Sequence, residues 1–139
     1  MSEERQLLER APHDHAAERA VLGGVMTDNT VFSDVGSILN PEDFYHPGHA
    51  AIYEAFVALQ TARPPEPIDQ LTVATELRRM GKLAAAGGPA YLAELEASVP
   101  TTANILSYAR IVQEKALKRR LIAACRELAD LAVEPSTEV

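Results

Sequence analysis

Nucleotide hydrolysis requires a glycine-rich loop closed by a lysine and a hydroxyl residue, so that backbone N–H groups cradle the phosphates and the ammonium group pairs with them. The nearest approach in this chain is Gly81-Lys82, which is followed by Leu83 and has no glycine five residues earlier. Its position after an apolar helical stripe suits a helix C-terminus. Gly87-Gly88-Pro89 lacks the basic neighbour and further donors of a phosphate site and reads as a helix start. The four histidines fall in two pairs, His13 with His15 and His46 with His49, and Asp14, Glu18 and Asp43 are near enough in sequence to raise a metal site. However, the His-Glu-x-x-His spacing that puts two ligands on one helical face is missing, and each pair flanks a helix start, so no metal is expected. Cys125 falls in a helical apolar line and is expected as a small buried side chain rather than a nucleophile. No serine stands in a nucleophile elbow. Lys115, Lys118, Arg119, Arg120 and Arg126 form a basic cluster, expected as a solvated helix flank paired with Glu114 and Glu127. None of these groups carries a catalytic assignment.

The composition points the same way. A chain of 139 residues with 47% apolar content can bury a modest core in one domain. Its net charge of -7 repels phosphate, which argues against strong direct DNA binding and favours a protein partner. One cysteine excludes an internal disulfide and fits a reducing, cytoplasmic setting. The start of the chain lacks the apolar core of a signal peptide, and no apolar run is long enough to span a bilayer.

Scarce aromatics, absent tryptophan and abundant alanine and leucine favour an all-α fold, a compact bundle of about five short helices followed by one long one. Residues 1–13 lack apolar periodicity and are expected as a flexible arm; residues 14–100 form the bundle. Asp14 caps a first helix running to about Thr27, with Glu18 in its first turn facing the helix dipole and Ala17, Val21 and Val25 inward. Gly23 and Gly24 in its middle cost about 1 kcal/mol each relative to alanine, which implies that another helix packs close there. Phe32, Val35, Ile38 and Leu39 form a short second stripe that stops at Asn40-Pro41. Pro47 opens a third helix carrying Ile52, Phe56 and Leu59, and Asp69 caps a fourth carrying Val73, Leu77 and Met80, ended by Gly81. Gly87-Gly88-Pro89 opens a fifth with Leu92, Leu95 and Val99.

Residues 101–133, capped by Thr101 or Thr102, contain no glycine or proline. Ile105, Ala109, Val112 and Ala116 line the first half; Leu117, Leu121, Ala124, Leu128 and Leu131 line the second at the four-three-four-three spacing of a coiled-coil seam. The stripe shifts by one residue between halves, about 100° around the axis, so the first half packs on the body and the second projects. Ile122, Cys125, Ala129 and Ala132 form a second apolar line beside the seam, a width that calls for more than one partner helix. Residues 134–139 are polar and turn-like.

The segments Ala17-Glu18-Arg19-Ala20-Val21-Leu22-Gly23-Gly24, Pro41-Glu42-Asp43-Phe44-Tyr45 and Gly87-Gly88-Pro89-Ala90-Tyr91-Leu92-Ala93-Glu94-Leu95, with Val99-Pro100-Thr101-Thr102-Ala103-Asn104 and Tyr108-Ala109-Arg110-Ile111-Val112, resemble the N-terminal domain of DnaB-type replicative helicases. The resemblance implies that the long helix is the first arm of a helical hairpin, with residues 134–139 the start of its truncated turn, that hairpins of neighbouring subunits pair, and that the domains form a collar of three dimers over a hexameric motor. It implies docking of the primase DnaG, with a helicase loader as a further partner, and only weak or indirect DNA contact. ATP and Mg²⁺ are implied for a RecA-like C-terminal motor domain absent here; no cofactor is implied for this segment. Leu117, Leu121, Ala124, Leu128 and Leu131 are then the candidate hairpin and dimer seam. Tyr91, between the core-facing positions of its helix, and Ile122, off the seam, are the candidate primase-docking residues. The competing readings are a small helical nucleic-acid-binding or regulatory module with no motor, and an enzyme built on the histidine and carboxylate groups.

Overall fold

Helix α1 (His15–Thr27) is the element around which the others are packed. In this computed structural model, which describes residue 3 and residues 11–99 and 101–135, all regular structure among the described residues is helical. After α1 come α2 (Phe32–Gly36), α3 (Pro47–Thr61), α4 (Gln70–Arg79), α5 (Gly88–Ala97) and the long α6 (Ile105–Val133), with single 3-10 turns at Asn29–Val31 and Pro41–Asp43. Asp14 caps α1 as expected, accepting the N–H of Ala17 at 2.9 Å. The helix is enclosed on more than one side, because Val21, Leu22, Val25 and Met26 are all buried together with both glycines. α6 crosses it on one face and α5 on another, with α3 completing the enclosure.

The glycine pair permits this. A methyl group at Gly23 would stand 2.2 Å from the Leu95 carbonyl oxygen on α5 and 2.5 Å from a Val99 methyl; one at Gly24 would stand 2.4 Å from Ile105 Cδ1 at the start of α6. The propensity loss in mid-helix is therefore offset by close approach of two helices.

Beyond α1 the chain reverses through Asn29, whose amide nitrogen donates to the carbonyls of Val25 and Ile68 and whose Oδ1 accepts the N–H of Ile68, all at 2.8 Å. One side chain thus fastens the end of α1 to the extended connector before α4. The second stripe is less helical than its spacing suggests: α2 stops at Gly36, and Val35 and Leu39 reach the core through tighter turns in which the N–H groups of Ile38 and Leu39 both bond to the Val35 carbonyl. α3 buries Ile52, Phe56 and Leu59 and also Tyr53, whose hydroxyl donates to the Leu39 carbonyl at 2.9 Å and is held protonated by burial. Asp69 and Thr72 form a reciprocal capping box on α4. Gly81 closes it at φ 72°, the left-handed conformation that a glycine adopts without penalty, and Lys82 pairs with Glu54. Gly81-Lys82 is thus a helix terminus held to α3.

The long helix starts two to three residues later than its threonines suggest. The Thr101 hydroxyl accepts the N–H of Ala103 in a separate turn and Asn104 occupies the cap position, so that hydroxyl stabilises the approach rather than the helix end. Its 29 residues extend about 43 Å.

Substituting Gly23 by alanine should lower the unfolding free energy by about 2 to 3 kcal/mol despite the better helix propensity, because the clash is with backbone. Gly24→Ala should cost less, since the Ile105 side chain can rotate. Urea unfolding of the two variants checks both the sign and the order.

Candidate assembly and docking surface

The inner half of α6 is core: Ile105, Ala109, Val112 and Ala116 are all buried. One residue further on the environment inverts, and Leu117, Leu121 and Leu128 are 62, 64 and 67% exposed, with Leu131 at 45%. Ala124, between them on the seam, is exposed as well. The one-residue shift in the apolar stripe therefore marks where α6 leaves the body.

Two arginines secure that departure point. Arg119 donates to the carbonyl of Pro12 at 2.8 Å and to that of Asp43 at 2.7 Å, and its guanidinium lies 5.5 Å from the centre of the Tyr45 ring. Arg120 pairs with the Asp43 carboxylate, which is almost wholly buried and also accepts the N–H of Asn40 at 2.8 Å. The basic cluster was expected to be a solvated flank, and this holds for Lys118, paired with Glu114 at 3.5 Å. For Arg119 and Arg120 it is corrected, because they bind the chain before α1 and the turn before α3. These commitments leave less free positive charge for a nucleic-acid backbone. Of the expected arm, Pro12 is held by Arg119 and the His13 ring is stacked on Tyr45 at 4.1 Å; residues 1, 2 and 4–10 lie outside the described residues. The expected hairpin turn is described only as far as residue 135.

Tyr45 leads into a network that the sequence reading did not assemble. Glu18 faces inward at 1% exposure instead of serving the helix dipole at the surface. Its carboxylate accepts the N–H of Tyr45 at 2.8 Å, that of His46 at 3.4 Å and Nδ1–H of His49 at 2.8 Å. On the other side of the ring, Nε2 of His49 lies 2.5 Å from the Tyr91 hydroxyl. His15 Nδ1 and His46 Nε2 face each other at 2.8 Å, an arrangement with room for one proton between two rings. The two histidine pairs thus form one cluster, but the nitrogens of His15, His46 and His49 are turned to each other, to Glu18 and to Tyr91, and Nδ1 of His13 to the Ala11 carbonyl.

Tyr91 is half-buried, its ring parallel to that of His49 and under the guanidinium of Arg19 at 5.5 Å. Ile122 is partly covered on the projecting half of α6. The candidate docking residues therefore sit in different settings, Tyr91 within the polar network and Ile122 beyond the body. Cys125, expected to be buried, is exposed, because its apolar line runs out past the point where the bundle ends. Glu18, His49, Asp43, Arg119 and Arg120 are the network positions that spacing did not identify: the partners that join them across the fold are 27 to 107 residues away.

Burial pushes the Glu18 carboxyl up, but the His49 and Tyr45 hydrogen bonds, the His49 charge and the His46 N–H outweigh it and hold the group below the ordinary carboxylate value. His15 and His46 are held below the ordinary histidine value of 6.5, chiefly by desolvation and then by neighbouring positive charge, of His49 first for His15 and of His15 and His49 for His46 against the pull of Glu18. Both imidazoles favour the neutral form in the fold, so their contribution is complete above 6.5 and is lost as the pH falls through their lowered folded values. Glu18 adds a second loss at lower pH, as its own depressed value is crossed. The urea midpoint should accordingly be flat above neutrality and fall below 6.5, and His15→Gln with His46→Gln should flatten the first decline. Glu18→Ala should remove about 3 kcal/mol or more at neutral pH by leaving buried donors unpaired.

Residues 10–114 match the family model of the DnaB-like helicase N-terminal domain. The chain is 39% identical over 137 residues to the replicative DNA helicase DnaB of Leifsonia xyli, an alignment covering 99% of this chain and 30% of that protein. Among solved structures it is similar to the N-terminal domain of DnaB helicase from Mycobacterium tuberculosis, with 44% identity, a TM-score of 0.83 and coverage of 88% of this chain and 86% of that one. It is also similar to a DnaB-like replicative helicase described with its interactions with primase, with 31% identity, a TM-score of 0.73 and coverage of 88% and 29%. The chain spans less than a third of the length of the curated relatives it matches. Match, fold and the exposed long helix agree: the chain belongs to the DnaB-like helicase N-terminal domain family.

Proposed function

We propose that this domain is the non-catalytic collar of a hexameric replicative DNA helicase, pairing subunits through α6 and docking primase at the replication fork. The observation that carries this reading is the projecting half of α6, where large leucines at coiled-coil spacing stand in solvent. A soluble domain gains by covering such a stripe, and a second hairpin arm with the α6 of a neighbour supplies apolar surface of the same kind. The relatives' names support the helicase context, and the related helicase described with primase supports the partner. A helicase loader is a further candidate partner, and a cytoplasmic location fits the absence, among the described residues, of any helix long and apolar enough to cross a membrane.

ATP and Mg²⁺ belong, on this reading, to a motor domain elsewhere in the parent protein. The residues here do not fit them, since Gly81 is a left-handed helix terminus and the Lys82 ammonium is 3.0 Å from Glu54. The domain's contribution is mechanical and positional: the bundle fixes the root of α6, and α6 presents apolar side chains to neighbouring chains.

Leu121→Glu with Leu128→Glu should change the unfolding free energy of the isolated chain by no more than about 0.5 kcal/mol, because both side chains are exposed. In the full-length parent the same pair should lower the assembled mass in light scattering. An unchanged mass would remove the seam from assembly. In calorimetric titration with the primase C-terminal domain, Tyr91→Ala and Ile122→Ala should each weaken binding at least about tenfold, a loss of about 1.4 kcal/mol. Parental affinity in both variants would assign docking to another face.

A further inference from the structure

Tyr91, half-buried on α5, is held from three sides. Gly87, left-handed at φ 103°, lies against its ring: a methyl group there would stand 2.8 Å from Tyr91 Cβ and 2.9 Å from Cγ and Cδ2. The Arg19 guanidinium lies 5.5 Å from the ring centre and is itself tied to Glu94 at 3.2 Å. At the tip, the hydroxyl meets Nε2 of His49 at 2.5 Å, and the imidazole is parallel to the phenol ring within 8°. The two side-chain holds differ in footing. Arg19 and Glu94 are 25 and 60% exposed, whereas His49 is buried and has its other nitrogen fixed by Glu18 at 2.8 Å. His49 is therefore the hold that is rooted in the core.

We propose that His49 is a positioning residue for primase docking: by holding the Tyr91 hydroxyl it fixes the ring as a preformed anchor on α5. This rests on the docking role proposed for Tyr91. Two physical effects act through the one contact. A tyrosine that is already immobilised gives up less rotamer freedom when a partner seats on it. A partner that covers Tyr91 also strips water from its hydroxyl, and a hydroxyl that already has His49 as its partner is not left unpaired by that loss. His49 itself, at 2% exposure, offers no surface to a partner, so its influence passes through Tyr91. The dependence is mutual. Removing the hydroxyl leaves Nε2 of His49 without this contact, and removing both groups leaves neither to satisfy.

Calorimetric titration of the full-length parent protein with intact primase tests this through His49→Asn, Tyr91→Phe and the two combined. Asparagine carries its amide nitrogen near the position of Nδ1, within reach of Glu18, but is too short for the Tyr91 hydroxyl; phenylalanine keeps the ring and removes only the hydroxyl. Each single variant should weaken docking about threefold to tenfold. The double variant should lose no more than the weaker single, because both changes remove the same contact. In spectra of this chain labelled at tyrosine Cζ, His49→Asn should move the Tyr91 signal and leave that of Tyr53, whose hydroxyl bonds elsewhere, in place. The proposal is overturned if Tyr91→Phe docks like the parent, if the two losses multiply in the double variant, or if the Tyr91 signal ignores His49→Asn. Tyr91→Phe leaves the Glu18 contacts intact, so its affinity decides even where His49→Asn lowers stability. Parental affinity in Tyr91→Ala would remove the docking role and this proposal with it. A weakened Tyr91→Ala beside a parental Tyr91→Phe would overturn the positioning role alone.

Discussion

A carboxylate at 1% exposure in a helical bundle is stable only if donors surround it, and that requirement organises this fold. Glu18 meets it by accepting two backbone N–H groups at the entry to α3 and the imidazole of His49 inside α3. Through His49 the same network reaches Tyr91 on α5, so one side chain of α1 fixes the relative placement of three helices. The turn it fixes, around Asp43 and Tyr45, is also the one that Arg119 and Arg120 grip from α6. The polar interaction at the centre thereby determines where the long helix leaves the body.

The elements themselves were legible because their signals are local. Asp14, Pro47, Asp69 and Gly81 act within one turn of their own position, and the stripes from Ile52 to Leu59 and from Ile105 to Ala116 report burial directly through the helical period. The inversion at Ala116–Leu117 could be read for the same reason. Local competition explains the small errors: Thr101 has capping chemistry, but the chain uses it in the turn before Asn104.

Long-range polar contacts left no comparable trace. Glu18 in the first turn of a helix has an adequate local explanation in the dipole, and nothing in spacing connects it with residues 45 to 49. Arg119 and Arg120 stand in a cluster whose composition is that of a solvated flank, and their partners are 76 and 77 residues away for the Asp43 contacts. Asn29 likewise carries no sequence signal of its role as a clasp between two segments 39 residues apart. Cys125 was misplaced for a different reason, since an apolar line establishes only that a surface wants cover and is silent on whether its own chain supplies it.

The glycine pair in α1 gives the geometry a further meaning. Gly24 lies against Ile105 at the very start of α6, whereas the arginine clamp grips the same helix fourteen to fifteen residues later. Two fastenings about 21 Å apart hold a rod whose remaining thirteen residues reach about 20 Å beyond the second. The helix therefore works as a lever with nearly equal inner and outer lengths. A small tilt between bundle and rod is returned at the tip at similar amplitude, so the position of each tip in an assembly reports the orientation of the body that carries it.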